Sequence, residues 1–200
     1  MEVSQPKDQT QKGQQLIERY ATGYRNFERV DLNAAQLFQV DLAGSHFCWA
    51  DMTDANLRWV NLDYADLTGA MMWRSHRDNA SFREANLHKA ILIRVNATAA
   101  QFCRANLLRA DLRLANLRGA NFTGANLRGA KFSYGDLSGA NFTGADLSGA
   151  ELTGADLTNA VFDADYQASA LSDSGEISGS REISSGIEQD TFSDGLALAS

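Results

Sequence analysis

Residues 120–134 read Ala120-Asn121-Phe122-Thr123-Gly124, Ala125-Asn126-Leu127-Arg128-Gly129, Ala130-Lys131-Phe132-Ser133-Tyr134. A small residue, a polar residue, a large apolar residue and two further residues recur with a period of five. Outward from this stretch the period runs without insertion from Arg25 to Ala164. Taking the large apolar residue as the centre, centres fall at every fifth position from Phe27 to Phe162. Of these 28 centres, 26 are Leu, Phe or Met, and the exceptions are Arg77 and Ala97. Two residues before each centre stands Ala, Val, Ser or Gly, except at Arg25. Asp or Asn usually stands one residue before the centre.

A five-residue period fits neither ordinary element. On a helix, five steps of about 100° leave successive centres about 140° apart, so they wander around the barrel. In a straight strand, alternation sends them to opposite faces. Every centre stays inside only if the chain turns a corner once per quintet. Four corners close a coil of 20 residues, and a second spacing supports this: Phe82, Phe102, Phe122, Phe142 and Phe162 are 20 apart, with Leu42 and Leu62 in the same register. If the coil is real, these rings stack. Four large centres fill each layer, so the other inward position must be nearly free of side chain. Asp or Asn before the centre suits a turn, because its side chain can bond nearby backbone.

The pattern resembles the pentapeptide-repeat family, whose consensus is A-[DN]-[LF]-X-X. The resemblance implies an all-β chain folded as a right-handed quadrilateral parallel β-helix, about seven coils of four pentapeptides. Spacing and composition divide the chain into three regions. Residues 1–24 carry a short capping helix over 10–22, with Leu16, Ile17 and Tyr20 on one face. Residues 25–164 form the β-helix. Residues 165–200 are an acidic, Ser/Gly-rich flexible tail, in which Asp165–Leu171 form one turn over the last coil or leave that end open for an end-to-end homodimer. The stretch from Leu16 to Phe27 is similar to the leaders of cyanobacterial members.

The formal charge is -7, from 18 Lys and Arg against 25 Asp and Glu. Residues 165–200 carry seven acidic residues and one basic one, so nearly all of the acidity lies there. Between residues 74 and 131 stand eleven basic and three acidic residues. That basic girdle opposes one activity the family resemblance suggests, a DNA-mimicking inhibitor or protector of a DNA-binding enzyme such as a topoisomerase. Mimicry needs closely spaced carboxylates, since duplex DNA carries about one charge per 1.7 Å. No nucleic-acid motif accompanies the girdle, which argues against nucleic acid as the partner.

Residues Trp49, Trp59, Tyr64 and Trp73 are outward aromatics next to the girdle, and Arg74 and Arg94 share one register. Trp, Tyr and Arg are enriched at interface hot spots. These six residues are the expected partner-binding surface of a non-catalytic scaffold that binds another protein. The alternative is that the aromatics lie flat and shield backbone corners.

For the two failed centres, 20 apart in one column, the expectation is either an Arg77 stem lying over Ala97 with its head in water, or a local bulge. No zinc-site spacing surrounds His46, His76 or His88, and Cys48 and Cys103 stand 2.75 coils apart, too far for a disulfide. No enzyme site, cofactor or metal is expected. No apolar run approaches the roughly 20 residues of a membrane span, no secretory signal opens the chain, and two cysteines suit a reducing compartment. The expected location is the cytoplasm.

Overall fold

The computed structural model describes residues 6–163. The expectations for residues 165–200 fall outside that range. Helix α1 spans Pro6–Ala21, starting four residues before the expected position. After it the chain winds into a rod. Its parallel bridges, from Asn26↔His46 to Asn141↔Val161, each join a residue to the one 20 positions on. Four quintets therefore make one lap. Each quintet contributes a single bridging residue, the one before the centre, so a side is too short for a conventional strand.

The rod is held by a repeating hydrogen-bond scheme that accounts for every N–H of a typical quintet. In the quintet 120–124, the small residue closes the preceding corner, Ala120 N to Leu117 O at 3.0 Å. Asn121 N donates to Ala100 O at 2.9 Å in the preceding coil, and Phe122 N to Asn141 O at 2.7 Å in the following one. Gly124 N reaches Thr143 O at 2.9 Å. The remaining donor, Thr123 N, is met by the Asn121 side chain at 3.0 Å. Asp31, Asp51, Asn61 and Asp136 do the same for their own quintets. This is the physical reason for Asp or Asn before the centre.

The corners have a second requirement. Each corner residue from Arg29 to Asn159, two after its centre, has a positive φ, from 54° to 70°. A bond from the centre carbonyl to the N–H three residues on, with positive φ only at the third residue, is the pattern of a type II turn. β-Branched side chains resist that region, and none occupies a corner.

The centres and the small residues fill the interior. Phe82, Phe102, Phe122, Phe142 and Phe162 stack as expected, with centroids 5.0, 5.0, 5.1 and 5.0 Å apart and planes within 7° of parallel. Phe27 and Phe47 stack likewise at 5.2 Å. Outside the core, polar side chains form ladders of their own: Asn126 donates to Asn106, and Asn106 to Asn86.

Helix α1 lies against the first coil. Leu16 joins the buried core and Tyr20 packs at its margin. Ile17, expected on the same face, is exposed instead, because one helical step turns it about 100° away from Leu16. Lys12 pairs with Asp31 at 2.9 Å, and the Tyr20 hydroxyl donates to Ala43 O at 3.1 Å. The Lys12 ammonium, with the Asn33 N–H, holds the Asp31 carboxyl below its ordinary range. Arg25, the one large residue at a small position, turns to the helix. Its guanidinium covers the Tyr20 ring at 3.6 Å and donates to the Tyr20 and Tyr24 carbonyls.

Arg77 differs from both expectations. It neither reaches water nor sits in a bulge: its exposure is 0 %, and the bridges on either side, Asn56↔His76 and His76↔Asn96, stay in register. The backbone ladder leaves no slack for a bulge, so the side chain takes the centre's inward direction.

Two substitutions test this packing. Gly13 faces the Gln36 carbonyl so closely that a Cβ would collide with backbone. Gly13→Ala, which stabilises an ordinary helix by about 0.5–1 kcal/mol, should lower the melting temperature here. Arg77→Leu replaces a buried cation with a standard centre and should raise stability by about 1–4 kcal/mol in a denaturant titration.

Candidate protein-interaction face

Number the four faces of the rod by quintets: 25–29, 30–34, 35–39 and 40–44, each continued every 20 residues. The first three positions of a quintet alternate in, out, in, and the fifth lies on the edge shared with the next face.

This geometry separates the six expected contact residues. Trp73 lies on the second face, and Arg74 and Arg94 lie on the edge between the second and third faces. Trp49 stands on the edge between the first and second. Trp59 is on the diagonally opposite edge, between the third and fourth faces, and Tyr64 is between the fourth and first. One flat partner surface cannot meet all six, so Trp59 and Tyr64 leave the set. The cause is the four-sided lap: ten residues along the chain carry a side chain to the far side of the rod.

The second face gathers what the linear sequence scattered. Met71, Trp73, Ile91, Leu114 and Tyr134 are exposed large apolar residues, all on this face or its trailing edge, and Ile93 is half-exposed among them. Met71 bridges Ile91 directly. Both occupy the position where Asp or Asn normally accepts an N–H, so the face gives up that local bond to present hydrocarbon. The signal was present as a Met and an Ile 20 apart at a polar position, but only the aromatics stand out in a linear reading.

Cations flank this apolar strip. Lys89 and Arg109 stand on its leading edge and Arg94 on its trailing edge, and none of the three makes an ion pair among the described residues. Much of the remaining girdle is neutralised. Arg74 makes a two-point pair with Asp54 at 2.9 and 2.7 Å, and its guanidinium lies 5.1 Å from the Trp73 ring. Arg113 pairs with Asp111, Arg118 with Asp136, and Arg128 with Asp146.

Trp49 has a structural partner. Its ring spreads over Gly69, one coil on, where any Cβ would strike it. Tyr134 covers Gly154 in the same way, with its ring 2.6 Å from where a Cβ would stand. An edge aromatic above an edge glycine is thus a packing unit, although both rings keep an exposed side.

Burial, then a hydrogen bond with Asp66, pushes the Cys48 thiol up to about 11, which leaves little thiolate at neutral pH. Both cysteines are free. Among the described residues no cluster of His, Cys, Asp and Glu has the makings of a metal site, and no helix is long and apolar enough to cross a membrane.

The family model for pentapeptide repeats, in 8 copies, matches residues 31–69, 61–96, 80–119, 98–133 and 125–163. The chain belongs to the pentapeptide-repeat family. Members of this family form right-handed quadrilateral β-helices, the architecture that the 20-residue bridges describe. Among solved structures, a pentapeptide-repeat protein from the cyanobacterium Cyanothece 51142 is 23% identical, with 75% of this chain and 99% of that chain covered and a TM-score of 0.47. One from Nostoc PCC 7120 is 38% identical over 42% of this chain and 70% of that chain, with a TM-score of 0.42. A plasmid-mediated fluoroquinolone resistance protein is 21% identical over 74% and 92%, with a TM-score of 0.44. No curated protein matches.

The aromatic–glycine unit is testable by a matched pair. Gly69 and Gly119 have nearly equal φ, 64° and 62°, but a Cβ at Gly119 meets nothing within 4 Å. Gly69→Ala should therefore cost at least about 1 kcal/mol more than Gly119→Ala in chemical denaturation. In a Trp59→Phe, Trp73→Phe background it should also red-shift the Trp49 emission.

Proposed function

We propose that this chain is a non-catalytic protein-binding scaffold that acts in the cytoplasm. In this reading seven coils of four quintets, residues 25–164, form a rigid rod. Residues 1–24 close its first end through α1, and residues 165–200 form an appended acidic tail. The observation that carries the proposal is the second face: Met71, Trp73, Ile91 and Ile93 in adjacent coils, with Lys89, Arg109 and Arg94 along the two edges.

An apolar centre inside a charged rim is the anatomy of a docking surface. The partner that fits is a protein segment with apolar residues in the middle and carboxylates on both sides. A rod that is ordered before binding keeps the ordering cost of association small. Of the contact residues expected from the sequence, Trp73, Arg74 and Arg94 remain. Arg74 acts chiefly to hold Trp73, since its own charge is committed to Asp54. Trp49 borders the site.

DNA mimicry of the kind that would shield a topoisomerase requires rows of carboxylates. The middle of this rod carries three free cations beside hydrocarbon instead. A relative's link to fluoroquinolone resistance belongs to that relative.

The test is affinity capture from the native host with quantified partner recovery. Ile91→Asp and Arg94→Glu should each reduce recovery at least about tenfold, the size of a hot-spot loss. Trp59→Ala, on the opposite edge, should leave recovery unchanged. Equal recovery by all variants would overturn the surface. A gyrase supercoiling assay should show neither inhibition nor protection from quinolones, and either effect would favour the mimic.

A further inference from the structure

Arg77 leaves the interior of the rod with more hydrogen-bond donors than acceptors. A guanidinium has five N–H groups and accepts nothing. Here it is wholly enclosed. Nη2 approaches the Met72 carbonyl at 3.5 Å, at the limit of a hydrogen bond. That carbonyl already accepts from the Ser75 hydroxyl at 2.8 Å and faces the Ser75 N–H at 3.4 Å. Nε and Nη1 have no partner among the described residues. The Phe82 ring, 5.5 Å from the guanidinium carbon, offers its π-face and no lone pair.

The charge is uncompensated as well. Burial lowers the Arg77 pKa to about 9, which keeps the group cationic at neutral pH, and no carboxylate contributes to that shift. An unpaired buried cation is strongly destabilising. Yet the column is lightened at this point. The column of centres reads Leu57, Arg77, Ala97, Leu117, and Ala97 lacks the three carbons that a Leu carries beyond Cβ. The two departures are adjacent because one makes room beside the other.

The donors left over decide what suits that room. A water molecule would accept from Arg77 but bring two O–H donors of its own, and the Met72 carbonyl is already crowded. A halide ion accepts from several N–H groups, donates nothing and cancels the charge. We infer that Arg77 Nε and Nη1, beside the shortened side chain of Ala97, form an internal site for one small monovalent anion, chloride under cellular conditions, enclosed as the coils close over it. The ion would be a structural component of the core, fixed in the layer of Met72, Arg77 and Phe82.

Two experiments test the site. In crystals of the full chain, unfolded and refolded in sodium bromide as the only halide before crystallisation, an anomalous peak should lie within hydrogen-bond distance of Arg77 Nε or Nη1. An ordered water there, or no peak, would overturn the inference. In solution, exchanging chloride for gluconate at constant ionic strength should lower the melting temperature of the natural protein by about 3 °C or more, by loss of a ligand bound only to the folded state. Arg77→Met should remove that difference. A shift of the same size in both proteins, or none in the natural one, would refute the site. Should Arg77→Met not fold, the bromide crystal alone decides.

Discussion

The structure depends on the need to satisfy backbone N–H groups when the chain turns every five residues. Four of the five donors in a quintet find carbonyls in the adjacent coils or across the corner. The fifth points outward with no coil neighbour, and the Asp or Asn before the centre supplies its acceptor. That bond satisfies the outward donor, the corner sends the centre inward, and the inward centres bring the coils into register. Cooperativity follows from the same scheme. A coil borrows partners from the laps above and below it, so no coil is complete alone, and the first one leans on α1 through Leu16, Tyr20 and Arg25.

The surface is where the repeat leaves freedom. Inward positions are held by volume to large apolar centres and small residues, and corners by φ. The outward positions beside the centre carry no such demand, and there the chain diverges from its own consensus. Met71 and Ile91 forgo the local acceptor role, and Trp73 and Ile93 stand beside them. Two structural motifs compete with function for the aromatics. Trp49 and Tyr134 are tied to glycines one coil on, whereas Trp73 is bracketed by an Arg that is itself held by Asp54. The distinction between a ring that seals backbone and a ring left free of that task lies in what stands 20 residues later.

Arg77 shows how rigid the frame is. The interior accepts a guanidinium in place of a Leu without losing a single bridge on either side. In a core built from loops, a cation of that kind would pull its segment out to water. Here the backbone around Arg77 is tied to both neighbouring coils, His76 to Ala55 and Leu57 on one side and Ser75 and Arg77 to Asn96 on the other, so moving the segment would break bonds in both. The frame therefore tolerates an expensive side chain and leaves its neighbour, Ala97, to make room.

The period of five, the lap of 20, the inward residues and the corner chemistry are all legible in the linear chain, because they repeat and each copy confirms the others. The Phe ladder follows from spacing alone, and so does the reason for Asp or Asn. The proposed site is legible only in part. Trp73, Arg74 and Arg94 can be picked out because aromatics and arginines stand out singly. Trp59 and Tyr64 group with them by closeness in sequence, and a square lap sets such neighbours on different sides. Met71, Ile91, Ile93 and Leu114 escape a linear reading because each is ordinary until stacked on the others. The direction of the Arg77 side chain and the docking of α1 by Gly13 and Arg25 are decided only in three dimensions. They depend on contacts between residues that the repeat does not relate, and a periodic signal carries no information about those.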